Sequence, residues 1–395
     1  MTHGEISPEK KQLVVLFVGA RRNAIRVAKR LGMKILVICK NQIPPTIASL
    51  CDQCLQINFD LDSASFYQEV SKWLNGLVPD RVLALTEKGI LHAASLREQM
   101  QIPGMKHAEA LRIKNKFLMK QTVLSAGIPC APFRRIDAET TFDSLAEHLR
   151  VPIIVKEVNS HLNSNFITVR TESDFKKHSY QDHMAEAYIS GIEFSVESFI
   201  DGGKIVFRNV SEYFIPGWSQ IVPFALSEAN LNLIDDFNQN TLRAFGISHG
   251  MMHLEGFITP DRLVFKELAV RPPGNYLMDL IKHSYGFCPW TEYLKLEFGL
   301  AHDLENYQSQ TPRPHGVLVL HPGAGHLKSI EGVLNAKQHP SMVRLRIHCK
   351  EGDFITPRHG ASQSRAHAIV HGKDREDVIT AMKEINRMIR FQHEV

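Results

Sequence analysis

Two runs of alternating apolar and polar residues, Met251 to Ile258 and Leu263 to Val270, flank Thr259-Pro260-Asp261-Arg262. Period-two alternation marks a half-buried strand, Pro260 pre-sets φ, and Asp261 can bond its own backbone, so the stretch predicts an antiparallel hairpin with its loop at Pro260 to Arg262. In that register Glu255 lies opposite Glu267 and His253 opposite Ala269. Alternation puts His253, Glu255, Phe257, Phe265, Glu267, Ala269 and Arg271 on one face, with Leu254, Ile258, Val264, Leu268 and Val270 on the other. Opposed Cβ atoms are about 5 Å apart and like charges there are destabilising, so the two carboxylates need a cation between them. A hard divalent ion, Mg²⁺ above all, suits two carboxylates that leave its other positions to water and phosphate oxygens. Arg271 extends the same face and suits a transferring phosphoryl group or a developing oxyanion. The plainer alternative is a solvated hairpin whose glutamates pair with neighbours such as Lys266.

The chain around this hairpin has 395 residues, too many for one ordinary core and enough for two to four packed units. Hydrophobic residues make up 44% and charged residues 22%, which argues against extended disorder. The formal charge of +4 is small and the Lys and Arg are spread along the chain, so nucleic acid is not an expected partner. No apolar run reaches the roughly 18 residues of a membrane span, and the polar start MTHGEISPEKKQ does not read as a signal peptide, so no membrane is expected and a cytoplasmic location is the default. Six cysteines are too sparse for a disulfide framework, and the lone Cys51-x-x-Cys54 has no second pair at zinc spacing.

In chain order, Leu13 to Gly19 reads as a buried strand, followed by a helix from about Asn23 to Leu31 and a strand at Lys34 to Cys39. Strand, helix, strand implies a parallel sheet. The first turn has one glycine rather than G-x-G-x-x-G, which does not support a dinucleotide site. Arg81 to Leu85 is another strand, and its end makes Glu87 a candidate substrate contact, because ligand crevices of open α/β sheets lie at strand carboxyl ends. Ala108 to Ser125 predicts one helix, stopped by Ala126-Gly127-Ile128-Pro129. Val151 to Lys156 is a strand ending on a lysine suited to phosphate oxygens. Met184 to Ile200 joins two apolar runs through Ser190-Gly191, and Asp201-Gly202-Gly203 turns into Lys204 to Val210. Ala225 to Phe245, Tyr276 to His283, Trp290 to Phe298 and Arg375 to Phe391 predict helices, with strands near Gly316 to His321, Val343 to Cys349 and Ala366 to Val370. Gln308 to Pro314 reads as a linker. His321 and His326 lack a carboxylate or Cys partner and do not read as a metal site.

Taken together these residues resemble the ATP-grasp superfamily, the ligases that include D-alanine–D-alanine ligase, biotin carboxylase, carbamoyl phosphate synthetase and the L-amino acid ligases. The resemblance covers most of the chain and is most specific at Glu255, Glu267 and Arg271. It implies an α/β protein with an N-terminal open parallel α/β domain over 1–107. A two-part α+β clamp would follow, its small lobe at 108–183 and its large lobe, with the metal and catalytic residues, at 184–310. A small α+β cap would cover 311–395. It further implies Mg²⁺ (or Mn²⁺) on Glu255 and Glu267, and ATP gripped by Lys116 and Lys156. The adenine edge would lie at Glu186, Ala187 and Ile189, and the ribose at Glu193. Two departures stand out: Ala269 replaces the usual asparagine ligand, and the flap Asn159 to Asn165 has no glycine.

The activity so implied is ATP- and Mg-dependent activation of a small acid or amino acid as an acyl phosphate, followed by attack of an amine to give an amide or peptide. Arg271 would hold acid and oxyanion, and His253 borders the site as a candidate base for the amine proton. Arg208 to Phe224, with Tyr213 and Trp218, is expected either to shape the acceptor pocket or simply to pack. Two other readings stay open, a nucleotide-binding pseudoenzyme or regulator and a biotin-carboxylase-like carboxylase. Small-molecule acid and amine are the expected partners, and a homodimer is expected only by analogy with the family.

Overall fold

A computed structural model describes residues 11–159, 166–215, 219–357 and 364–393. The chain divides into two compact units, Met1–Ala110 with Tyr293–Ala301, and Leu111–Glu292 with His302–Val395. Of the flap expected at Asn159 to Asn165 only Asn159 is among the described residues, and Trp218 also lies outside them.

The first unit holds a parallel sheet of β1 (Val14–Val18), β2 (Lys34–Cys39), β3 (Gln53–Gln56) and β4 (Arg81–Ala84), in the order β3-β2-β1-β4. β1 is buried throughout and β2 nearly so, which is why both read as unbroken apolar runs rather than alternating ones. The helix Arg22–Arg30 connects β1 to β2 as a parallel crossover requires. Asp62 caps the helix Ser63–Leu74 by accepting from the backbone N–H of Ala64 and Ser65. Glu87 stands in a 3₁₀ turn, Glu87–Gly89, at the carboxyl end of β4. Cys51 and Cys54 are free thiols, and burial, with Cys54 alongside, pushes Cys51 up to about 12.

Among the described residues the second unit contains three sheets. The small lobe pairs β5 (Phe133–Arg135), β6 (Ile153–Glu157), β7 (Ile167–Val169) and β8 (His183–Ala187) in the order β5-β8-β6-β7. The remaining strands are β9 (Ile192–Asp201), β10 (Lys204–Ile215), β11 (Ser219–Val222), β12 (Gly250–Ile258), β13 (Leu263–Val270), β14 (His315–Leu320), β15 (Gly325–Glu331), β16 (Met342–Ile347), β17 (Phe354–Ile355), β18 (Ala366–His371) and β19 (Arg390–His393). Eight of them form one sheet, β13-β12-β9-β10-β11-β14-β18-β16, while β17-β15-β19 form a separate small one. The C-terminal segment expected as a small α+β cap contributes β14, β18 and β16 to the sheet that begins with the glutamate hairpin. The helix Arg375–Met388 covers that end, burying Val378, Ile379, Ala381, Met382 and Ile385 against β14 and β18. The Val, Ile and Met side chains among them each contribute about 1.5–3 kcal/mol of burial.

The single helix expected over Ala108 to Ser125 is two, His107–Lys114 and Lys116–Ser125. Asn115 causes the break: its backbone is extended and its side chain accepts from Leu118 N at 2.9 Å, an N-cap that restarts the helix at Lys116. Among the described residues no helix is long and apolar enough to cross a membrane.

Candidate active site

The hairpin of β12 and β13 has the expected register near its open end, with Met252↔Val270, His253↔Ala269, Leu254↔Leu268 and Glu255↔Glu267. Beyond Glu255 a bulge intervenes, so that Gly256 faces Phe265 and Phe257 faces Val264, leaving Lys266 as the extra residue. The cause lies beside the hairpin: Phe265 N–H donates to Pro129 O at 2.7 Å, and Cys130 bridges to Phe265. Phe265 is thus not on the site face, where alternation put it, and Val264 takes its place. Gly256 is required there, since a Cβ would stand 2.8 Å from the Phe194 ring and 3.1 Å from Val264 O.

The bulge also turns Lys266 into the site. Its Nζ lies 2.5 Å from Glu193 Oε1 and 2.8 Å from Glu255 Oε2, with the rings of Tyr213 and Phe257 at 5.7 and 6.0 Å. Burial works against its charge, but Glu255, Glu193 and Glu267 outweigh burial and raise the ammonium above its ordinary value. Glu255 is correspondingly held well below the carboxylate range: burial opposes this, and Lys266 and His253 overcome it. Burial pushes Glu193 up, and Lys266 only partly opposes the rise.

One polar row crosses the sheet, Glu267, Glu255, Ser195 and Ser211, each opposite the next. Beside it runs a second, Ala269, His253, Glu197 and Asn209. Tyr213 donates to Glu255 Oε1 at 2.7 Å. His253 bridges Glu197 Oε1 at 3.0 Å through Nδ1 and Glu255 Oε1 at 3.2 Å through Nε2. Glu197 also accepts from Asn209 at 2.7 Å and Ser211 at 2.8 Å. Burial alone would lower His253, yet the bonds to Glu197 and Glu255 raise it to about 9. His253 therefore carries its proton at neutral pH and clamps two carboxylates, which does not suit the base role expected for it. Arg271 is buried on the same strand line and donates to Pro272 O at 2.9 Å.

On the small lobe, Lys156 in β6 and Glu186 in β8 share a face, because Ile154 is opposite Glu186 and Lys156 opposite Met184. Lys156 is ion-paired to Glu186 Oε1, and Lys120 reaches Glu186 Oε2 at 2.8 Å. Burial favours protonation of Glu186, but the two lysines win and hold it at about 2. Lys116, the first residue of its helix, crosses instead to Glu267 Oε2 at 2.7 Å. Ala187 closes β8 with its N–H on Pro132 O, and Ile189 lies in the connection to β9. In that connection Gly191 has no room for a side chain, as its Cβ would stand 2.7 Å from Ile258 O.

Seven of the expected residues of the second unit thus fall into two groups, Lys156 with Glu186, and Glu193, Glu255, Glu267, Lys116 and His253. Lys120, Glu197, Tyr213 and Lys266 join them. Lys120 is one helical turn beyond Lys116, and Glu197 follows Glu193 and Ser195 in alternation, so both carried a signal. Further along the face, Gln220 is opposite Tyr213 and fully buried, and neither of its amide atoms has a hydrogen-bond partner among the described residues. The same holds for Ser195 Oγ. Buried polar atoms left so are costly unless a polar ligand completes them.

The chain is similar to known proteins in sequence and in fold. The family described as L-amino acid ligase C-terminal domain 2 matches residues 318–394. An L-arginine-specific L-amino acid ligase of Bacillus subtilis is 27% identical over 303 residues, 72% of this chain and 73% of that protein. The crystal structure of an L-amino acid ligase from Bacillus licheniformis superposes with a TM-score of 0.84 at 19% identity, over 98% of this chain and 100% of that one. An N5-carboxyaminoimidazole synthetase from Staphylococcus aureus, complexed with ADP, superposes with a TM-score of 0.74 at 17% identity, over 97% and 100%.

Proposed function

We propose, from the premise that this chain is an ATP-grasp superfamily ligase of the L-amino acid ligase type, that it spends ATP to join a small carboxylic acid or amino acid to an amine. The single observation that carries the reading is the face on which Glu255 and Glu267 are directly opposed, with Lys116 on one and Lys266 on the other.

Polyphosphate needs cations that can leave their present partners. Lys116 and Lys156 each rest on a carboxylate, so phosphate oxygens exchange one anionic partner for another without leaving a lysine bare. Glu186 keeps Lys156 and Lys120 in place, and the connection after Ala187, at Ile189, would meet the edge of the base. A carboxylate donor set suits Mg²⁺ or Mn²⁺, with Glu267 as its protein ligand and Glu255 beside it. When bound, such an ion neutralises charge on the transferring phosphoryl group. A substrate carboxylate oxygen attacks the γ-phosphorus, the bond to ADP breaks, and an acyl phosphate results. The amine then attacks the acyl carbon and phosphate leaves, with Arg271 placed to hold the oxyanion. His253 and Tyr213 fix Glu255 throughout. Gln220 and Ser195, polar and unsatisfied on the same face, suit the polar atoms of an amino acid. Glu87 is proposed as a further substrate contact.

The test is Mg-dependent ATP turnover against pooled L-amino acids and small acids, with ADP, AMP and phosphate quantified and products weighed. ADP plus phosphate is expected, with a new mass equal to acid plus amine minus water. Glu267→Gln should lower turnover by about 100-fold or more, as for loss of a group acting on transition-state charge. ATP binding without turnover under every acid and amine would refute the ligase and favour a nucleotide-binding regulator.

A further inference from the structure

We propose that Lys266 is a built-in cation for the Glu255 side of the site, so that the nucleotide-loaded protein takes one divalent ion, at Glu267, rather than two. The inference rests on the ligase reading above and concerns how that site is charged.

Glu255 already has three partners. Oε1 accepts from Tyr213 at 2.7 Å and from His253 at 3.2 Å, and Oε2 faces the Lys266 ammonium at 2.8 Å. A carboxylate offers about four lone-pair directions, so an ion bound to both oxygens would have to displace at least one of these groups. Lys266 is not easily displaced. It is the bulged residue of β13, its side chain is 13% exposed, it is shared with Glu193, and Tyr213 and Phe257 lie about it. Nor does the hairpin offer a replacement ligand: the residue opposite His253 is Ala269, buried and without a donor atom. Among the described residues no three His, Cys, Asp or Glu side chains stand together as a metal shell. Glu267 differs, since among the described residues its ion pair is with Lys116, through Oε2 at 2.7 Å. A lysine that grips phosphate can move from Glu267 to the ligand, whereas Lys266 answers to two buried carboxylates.

The experiment counts Mn²⁺ bound to the full chain with a non-hydrolysable β,γ-imido ATP analogue, by electron paramagnetic resonance titration alongside measured nucleotide occupancy. One Mn²⁺ per bound nucleotide is expected for the natural chain and for Lys266→Arg, and two for Lys266→Met. Two Mn²⁺ per nucleotide in the natural chain would overturn the proposal, whether or not Lys266→Met folds. A folded, nucleotide-binding Lys266→Met that still takes one would overturn it too. Absence of nucleotide binding by the natural chain would instead refute the ligase reading, and the inference with it.

Discussion

Glu186 is the residue whose replacement should speak most directly about how Lys120 and Lys156 are held. It is buried between Lys120, at 2.8 Å, and Lys156. Glu186→Gln keeps the shape and removes the charge, leaving two lysines without their common counter-ion. The carboxyl is held at about 2 from its ordinary 4.5, and at about 1.4 kcal/mol per tenfold in a proton equilibrium that corresponds to about 3 kcal/mol. The figure agrees with the about 3–5 kcal/mol typical of breaking a buried ion pair. The sign follows from the depressed value. The contribution is present above pH of about 4.5 and fades as pH falls towards about 2. Thermal and urea unfolding of both proteins from pH 4 to 8, without nucleotide, checks it. The variant should be less stable by about 3 kcal/mol at pH 7, with the gap narrowing below pH of about 4.5. Affinity for an ATP analogue should also fall about 10-fold, about 1.4 kcal/mol, because Lys156 loses its anchor. Equal stability at pH 7, within about 0.5 kcal/mol, would refute the view that this carboxylate holds the lysines.

Two further outcomes are expected. His253 is raised from 6.5 to about 9, so its contribution is complete below pH 6.5 and lost as pH rises through about 9. In chelator, the natural chain should lose about 3 kcal/mol more than His253→Gln over that window, and parallel pH profiles would refute the clamp. Gly191→Ala would set a Cβ 2.7 Å from Ile258 O, and should cost about 1–3 kcal/mol in unfolding and weaken nucleotide binding measured by calorimetry.

Much of this was legible in the residues themselves. The pairing of Glu255 with Glu267 followed from alternation and one turn, because a side-chain period of two leaves little freedom once the loop is fixed. Lys116, Lys156, Glu186 and Glu193 were placed by their resemblance to a family, and the structure brings them onto facing carboxylates and lysines. Lys266 was legible only as a solvated neighbour that could pair with the glutamates, not as a buried residue of the site. Its position depends on a bulge, and the bulge depends on Pro129 and Cys130, more than a hundred residues away in sequence. Alternation cannot see such a contact. The charge state of His253 was hidden for a similar reason: Glu197 flanks it from a strand fifty-six positions earlier. The break at Asn115 was readable, since Asn is a strong N-cap, but helix propensity on both sides masked it.

The sheet that carries the glutamates runs unbroken into the C-terminal segment, and this bears on how such proteins could be recombined. β11 has Tyr213 of β10 opposite its Gln220 on one side and Val317 of β14 on the other. A chimera cut within Gln308 to Pro314 would have to supply a foreign strand that matches β11 residue for residue, or leave its N–H and C=O groups bare. A shift of one residue would invert every side chain of that strand. The matched segment 318–394 is therefore not an exchangeable cassette.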